Sequence, residues 1–205
     1  MTYVAVYATS YLNEQCIKSM EKPLIVTALP DEFAHQSIPH DMPVIFTGLG
    51  KLNAGLSLLQ SLERYQPTVV LNFGTAGRID RSISGLIEVA DVIQHDMAAQ
   101  PLAPRGHTPF DDTPHLLRSG FEGVRCATGD SFVTNVDPWL VEQNVHVVDM
   151  ELFALALVCH RHNIAWRSFK YITDDTDENA AQDWADKVHH GRHLFLSKLD
   201  ELFSP

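Results

Sequence analysis

Thr68-Val69-Val70-Leu71-Asn72-Phe73-Gly74-Thr75-Ala76-Gly77 decides the fold class. Its first six residues form a short apolar run that reads as a buried strand, and Gly74-Thr75-Ala76-Gly77 reads as a tight turn closing it. Upstream, Leu24-Ile25-Val26-Thr27-Ala28 reads as a strand ended by Leu29-Pro30-Asp31-Glu32. Met42 to Thr47 reads as another, closing on Gly48-Leu49-Gly50. Between these and Thr68, Leu52, Leu56, Leu59 and Leu62 recur at helical spacing, which predicts an amphipathic helix over Lys51 to Tyr65. Downstream, strands are predicted at Val89 to His95, Gly123 to Ala127, Val145 to Val148 and Arg167 to Ile172. Helices are predicted at Glu151 to His162 and Asp183 to Leu202. Strand and helix in repeated succession predict an α/β sheet covered on both faces.

The chain has 205 residues, 45% of them apolar, so a single domain over residues 1–205 with a sizeable core is expected. Residues 1–22 read as an N-terminal extension, with Tyr3-Val4-Ala5-Val6-Tyr7 as a possible extra edge strand. The net charge of −11, with no clustering of Lys and Arg, disfavours a nucleic-acid partner. The longest apolar run, Leu152 to Cys159, is eight residues, against about 20 for a bilayer span, so no membrane partner is expected. No secretory leader is read at the N-terminus. Cys16, Cys126 and Cys159 match neither a disulfide framework nor a zinc site, which points to a reducing, cytoplasmic setting.

Ligands of open α/β sheets bind beyond the carboxyl ends of strands, where loops and helix N-termini converge. Four such ends carry distinctive polar residues here: Asp31-Glu32, Gly74-Thr75-Ala76-Gly77, Asp149-Met150-Glu151 and Thr173-Asp174-Asp175. Any one of these acids could be a helix cap or a solvated turn, and Glu151, opening a helix, could be a capping carboxylate alone. Three acidic ends on one sheet edge instead suggest a site.

Other motif matches carry no chemistry. Gly129-Asp130-Ser131-Phe132 with Asp186-Lys187-Val188-His189 imitates esterase blocks, but the oxyanion block expected between them is missing. Asp175-x-Asp177-x-Asn179 starts like a calcium loop, yet Ala180 stands where that loop needs glycine and Asp186 where it needs Glu. His189 and His193 have a metal-binding spacing without the accompanying Glu, so no metal is expected. Dinucleotide and P-loop glycine patterns do not occur.

Four stretches in order resemble the nucleoside phosphorylase and nucleosidase superfamily, and within it the 5′-methylthioadenosine/S-adenosylhomocysteine nucleosidases. They are Gly48-Leu49-Gly50-Lys51-Leu52-Asn53-Ala54, Leu71-Asn72-Phe73-Gly74-Thr75-Ala76-Gly77, Val148-Asp149-Met150-Glu151 and Ile172-Thr173-Asp174. The resemblance runs from Leu24 to the C-terminus. It implies a three-layer α/β/α sandwich around a central mixed, partly barrel-like sheet, and a homodimer. It also implies a small-molecule nucleoside substrate with adenine as product and no cofactor.

Residue by residue, it implies that Asp174 is the general acid to purine N7 and that Glu32 positions and deprotonates the attacking water. Glu151 would grip the ribose hydroxyls, with Met150 against the sugar. Phe132 would stack on the purine, and Val133 would offer its backbone to the adenine edge. Thr75 falls near the ribose, Thr173 among the substrate-binding positions, and Leu29 and Leu49 in the apolar 5′-alkylthio pocket. The chemistry is coherent: a breaking N-glycoside develops positive charge on the sugar and negative charge on the base. A protonated Asp174 would therefore neutralise the leaving group while Glu32 and Glu151 face the cationic sugar.

The departures bear on mechanism. Phosphorylases of the superfamily hold phosphate with arginines, but no Arg lies between Pro23 and Glu63, and Asn72 stands at the strand position. Hydrolysis is thus expected, with a phosphate-dependent phosphorylase and a catalytically silent nucleoside-binding protein as alternatives. Lys170 stands where an arginine commonly supports the catalytic Glu, and the segment between Glu32 and Gly48 is short.

Overall fold

The computed structural model describes residues 22–33 and 41–204. The expected strand at Tyr3–Tyr7 and Cys16 lie outside the described residues. The strands are β1 (Pro23–Thr27), β2 (Val44–Phe46), β3 (Val69–Arg78), β4 (Leu86–Gln94), β5 (Leu117–Arg118), β6 (Val124–Thr128), β7 (Val147–Asp149) and β8 (Ala165–Asp174). The helices are α1 (Pro30–Phe33), α2 (Lys51–Tyr65), α3 (Pro138–Glu142), α4 (Leu152–His162), α5 (Ala180–Lys187) and α6 (Arg192–Phe203).

All eight strands among the described residues join one sheet in the order β2-β1-β3-β7-β6-β4-β5, with β8 pairing both β3 and β4. β8 therefore closes β3, β7, β6, β4 and itself into a ring, and the mixed, partly barrel-like sheet is present. Side-chain alternation along β1 and β3 makes the layers. Leu24, Val26 and Val70 face one side, where Ala54 and Leu58 of α2 and Leu155 and Cys159 of α4 bury them. Ile25, Val69, Leu71 and Phe73 face the other, against Phe169 of β8 and Phe195 and Leu199 of α6. Phe195 stacks on Phe73 at 4.5 Å, a burial worth about 1.5–3 kcal/mol per side chain.

Three features differ from the sequence reading. First, Gly74 to Gly77 is no turn: β3 continues to Arg78, paired in parallel with β8 as far as Gly77↔Asp174. The glycines permit close approach. A Cβ on Gly77 would lie 2.4 Å from Asp174 Oδ1, and one on Gly74 would lie 3.2 Å from Lys170 Nζ. Second, the helix predicted over Asp183 to Leu202 is two helices, broken at Val188–Gly191, where Gly191 seats on Tyr171 closely enough that a Cβ would meet its ring at 2.4 Å.

Third, α2 has the predicted bounds but buries a different face. Ala54 and Leu58 point inward, while Leu52, Leu56 and Leu59 are 72%, 49% and 47% exposed. The apolar stripe that identified the helix is largely its outer face.

Candidate active site

β1, β3, β7 and β8 deliver their carboxyl ends to one cleft of about 630 Å³, open to solvent. Its lining includes nine of the ten sequence-predicted residues: Glu32, Leu49, Thr75, Phe132, Val133, Met150, Glu151, Thr173 and Asp174. Leu29 is the exception. It is half-buried beside the cleft, and its backbone N–H donates to Glu32 Oε2 at 3.0 Å.

Glu32 sits in the single turn α1 after β1, buried, and accepts five hydrogen bonds. Oε2 takes the Thr27 hydroxyl at 2.8 Å and the amides of Ala28 and Leu29 at 3.0 Å. Oε1 takes the Thr75 amide at 3.1 Å and its hydroxyl at 3.2 Å. The carboxylate is thus fixed between β1 and β3.

Two acids at the start of α4 have divided roles. Asp149, not Glu151, caps the helix: its Oδ2 accepts from Leu152 N at 2.9 Å, and its Oδ1 accepts from the Thr128 hydroxyl at 2.6 Å. Capping therefore does not explain Glu151. Its side chain caps nothing on α4 and instead accepts from Gly50 N at 2.9 Å, at the N-terminus of α2. The positive φ angles of Gly48 and Gly50, +79° and +88°, turn the chain so that this amide points into the cleft. Burial and the neighbouring Asp149 charge push the Glu151 carboxyl up to about 7.

Lys170 of β8 lies beneath these acids, fully buried, its Nζ 2.7 Å from Asp149 Oδ2. Burial works against both charges. The pairing prevails, holding Asp149 below the usual carboxylate range and Lys170 above the usual lysine value. The lysine's ion pair is with Asp149, while Glu32 is held by amides and hydroxyls.

Asp174 ends β8. Its Oδ2 accepts from the Thr173 hydroxyl at 3.0 Å and its Oδ1 from Thr176 N at 3.1 Å. Thr176 holds a φ of +53°, costly for a β-branched residue, and its hydroxyl is tied to Arg78 O at 2.9 Å. Burial raises the Asp174 carboxyl above its ordinary value despite these donors, and Asp183 adds to the rise.

Sequence reading missed Trp184 of α5, which forms part of the wall. Its ring meets Phe132 edge-on at 6.3 Å, and its Nε1 donates to Thr75 Oγ1 at 2.9 Å. A lone tryptophan on an amphipathic helix gave no signal. Among the described residues, the lining carries four carboxylates, Glu32, Asp149, Glu151 and Asp174, and no Lys, Arg or His. Arg78 turns away to pair with Asp175 at 2.5 Å, and Asn72 is buried, donating to Val26 O at 3.0 Å.

A ring-closed mixed sheet with carboxylates from three strand ends around one cleft defines an α/β small-molecule site. Its charge suits a ligand that is, or becomes, positive rather than an anion. The chain belongs to the phosphorylase superfamily, whose sequence model matches residues 33–203, beginning one residue after Glu32. It is 26% identical over 215 residues to the 5′-methylthioadenosine/S-adenosylhomocysteine nucleosidase of Shewanella pealeana, covering 91% of this chain and 93% of that one. Two solved structures share the fold. The Helicobacter pylori 5′-methylthioadenosine/S-adenosylhomocysteine nucleosidase superposes with a TM-score of 0.78 at 19% identity, covering 89% of this chain and 97% of its own. The futalosine hydrolase of the same organism gives 0.76 at 18%, with the same coverage of both chains.

Proposed function

We propose that this protein is a purine nucleosidase that uses water to cleave the N-glycosidic bond of 5′-methylthioadenosine or S-adenosylhomocysteine, releasing adenine. The observation that carries the reading is the cleft lining of four carboxylates and no basic side chain among the described residues. With Asp149 paired to Lys170 and Asp174 serving as proton donor, Glu32 and Glu151 face the cationic sugar of the transition state, and no cation of the described lining faces a phosphate. The names of the sequence relatives point to the same substrates.

In this reading Asp174, whose carboxyl burial raises above its ordinary value, enters the reaction protonated and donates to purine N7 as the bond breaks. Glu32, anchored by its five donors, holds the attacking water at Oε1 beside Thr75. Glu151 binds the ribose hydroxyls with Met150 against the sugar, and Thr173 holds the Asp174 carboxyl. Phe132 and Val133 receive the base, and Leu49 lines the 5′ end. A second copy of the chain belongs to the reading: Leu52, Leu56 and Leu59 on one face of α2 are exposed, apolar surface that a homodimer would bury. A reducing cytoplasmic setting fits Cys126 and Cys159, both buried and free.

The test is adenine release from 5′-methylthioadenosine by the wild type and by Asp174→Asn, followed by chromatography. The expected outcome is turnover by the wild type and a loss of about 10²–10⁴-fold in kcat for the variant, with adenine still bound. Unchanged turnover in Asp174→Asn would remove that residue from the acid role.

A further inference from the structure

We propose that Trp184 is a positioning residue of this hydrolytic site, its indole N–H committing the Thr75 hydroxyl to Glu32. The inference deepens the nucleosidase reading and rests on it. A hydroxyl has one proton and can also accept. Trp184 Nε1 donates to Thr75 Oγ1 at 2.9 Å, so the oxygen is engaged as an acceptor and its proton is left for another group. Glu32 Oε1, at 3.2 Å, is the acceptor in reach. The hydroxyl is thereby turned toward the carboxylate and away from the ligand, and Oε1 is held where β3 presents it.

The placement of Trp184 gives this chain of donors a further consequence. α5 follows Asp174 directly after the turn that fixes the acid through Thr176 N. Lys187, on the same helix, donates to Thr173 O at 2.8 Å. The indole also meets Phe132 on the loop assigned to the base, at 6.3 Å. One helix therefore ties together the acid, the water-holding pair and the aromatic wall. Seating α5 aligns Glu32, which holds the attacking water, while Trp184 itself acts through the Thr75 hydroxyl.

The test uses Trp184→Phe, which keeps an aromatic ring against Phe132 and removes the donor. With 5′-methylthioadenosine, kcat falls about tenfold, the scale of one hydrogen bond, while KM stays within about twofold. In a Thr75→Val background, Trp184→Phe lowers kcat no further, because the group it orients is gone. An active wild type whose kcat is unchanged in Trp184→Phe overturns the proposal. So does a fall that is equal in both backgrounds, or one confined to KM. A wild type that releases no adenine overturns the nucleosidase reading itself, and the proposal with it.

Discussion

Asp174 and Glu151 are both weaker acids than free carboxylates because burial penalises their charge, yet the proposed reaction needs them in opposite states. Asp174 must enter the reaction protonated, whereas Glu151 accepts from both sugar hydroxyls best when ionised, as an acceptor only. Glu151 also has a stability consequence. Its carboxyl titrates at about 7 in the fold against 4.5 when free, so folding takes up a proton between those values. The contribution to stability is highest below pH 4.5 and is lost as pH rises through about 7. Glu151→Gln removes the ionisation while keeping an acceptor for Gly50 N. It should raise stability in denaturant melts by about 3 kcal/mol at pH 8 and by under about 1 kcal/mol at pH 5. The same variant should lose nucleoside affinity. Equal stability gains at both pH values would mean that Glu151 is not held in a raised state.

Between elements, the Asp149–Lys170 pair joins β7 to β8 beneath the cleft, with both side chains out of water. Removing one partner of such a pair leaves the other charge uncompensated, so Lys170→Met should destabilise by about 3–5 kcal/mol. Adding Asp149→Asn to it should recover part of the loss, as chemical denaturation would read. A Lys170→Met protein as stable as the wild type would show that Asp149 does not need the ammonium. At this scale the sequence was only half legible. Periodicity located α2 because fifteen residues repeat a helical pattern, but it did not say which stripe faces inward. The glycines of β3 looked like a turn because their cause lies nearly a hundred residues away, in the Asp174 and Lys170 side chains of β8. Asp174, Glu32 and Glu151 were legible because strand ends converge in an α/β sheet. Trp184 was not, since its partner Thr75 lies 109 residues earlier in the chain.

For the whole molecule, the outward stripe of α2 is the apolar surface most in need of an explanation. Leu52, Leu56 and Leu59 lie on one helix face that the core of the described residues does not cover. Leu56→Asp would place a charge at the centre of that face. If the homodimer proposed above forms through this face, the variant should sediment as a monomer where the wild type sediments as a dimer, with the melting behaviour of the isolated subunit nearly unchanged. A wild type that sediments as a monomer at micromolar concentration would contradict the dimer. The acidic cleft and the acidic net charge of −11 act in the same direction, drawing cationic character and repelling anions.

The nucleophile is the point on which the account turns, since the superfamily takes its name from phosphorolysis and this cleft offers phosphate no cation among its described residues. The direct measurement is the rate of adenine release from 5′-methylthioadenosine in phosphate-free buffer and again with phosphate added, with the sugar product identified. Equal rates, with free methylthioribose in both, is the result predicted. Adenine appearing only with phosphate, alongside a sugar 1-phosphate, would contradict the account and make the protein a phosphorylase.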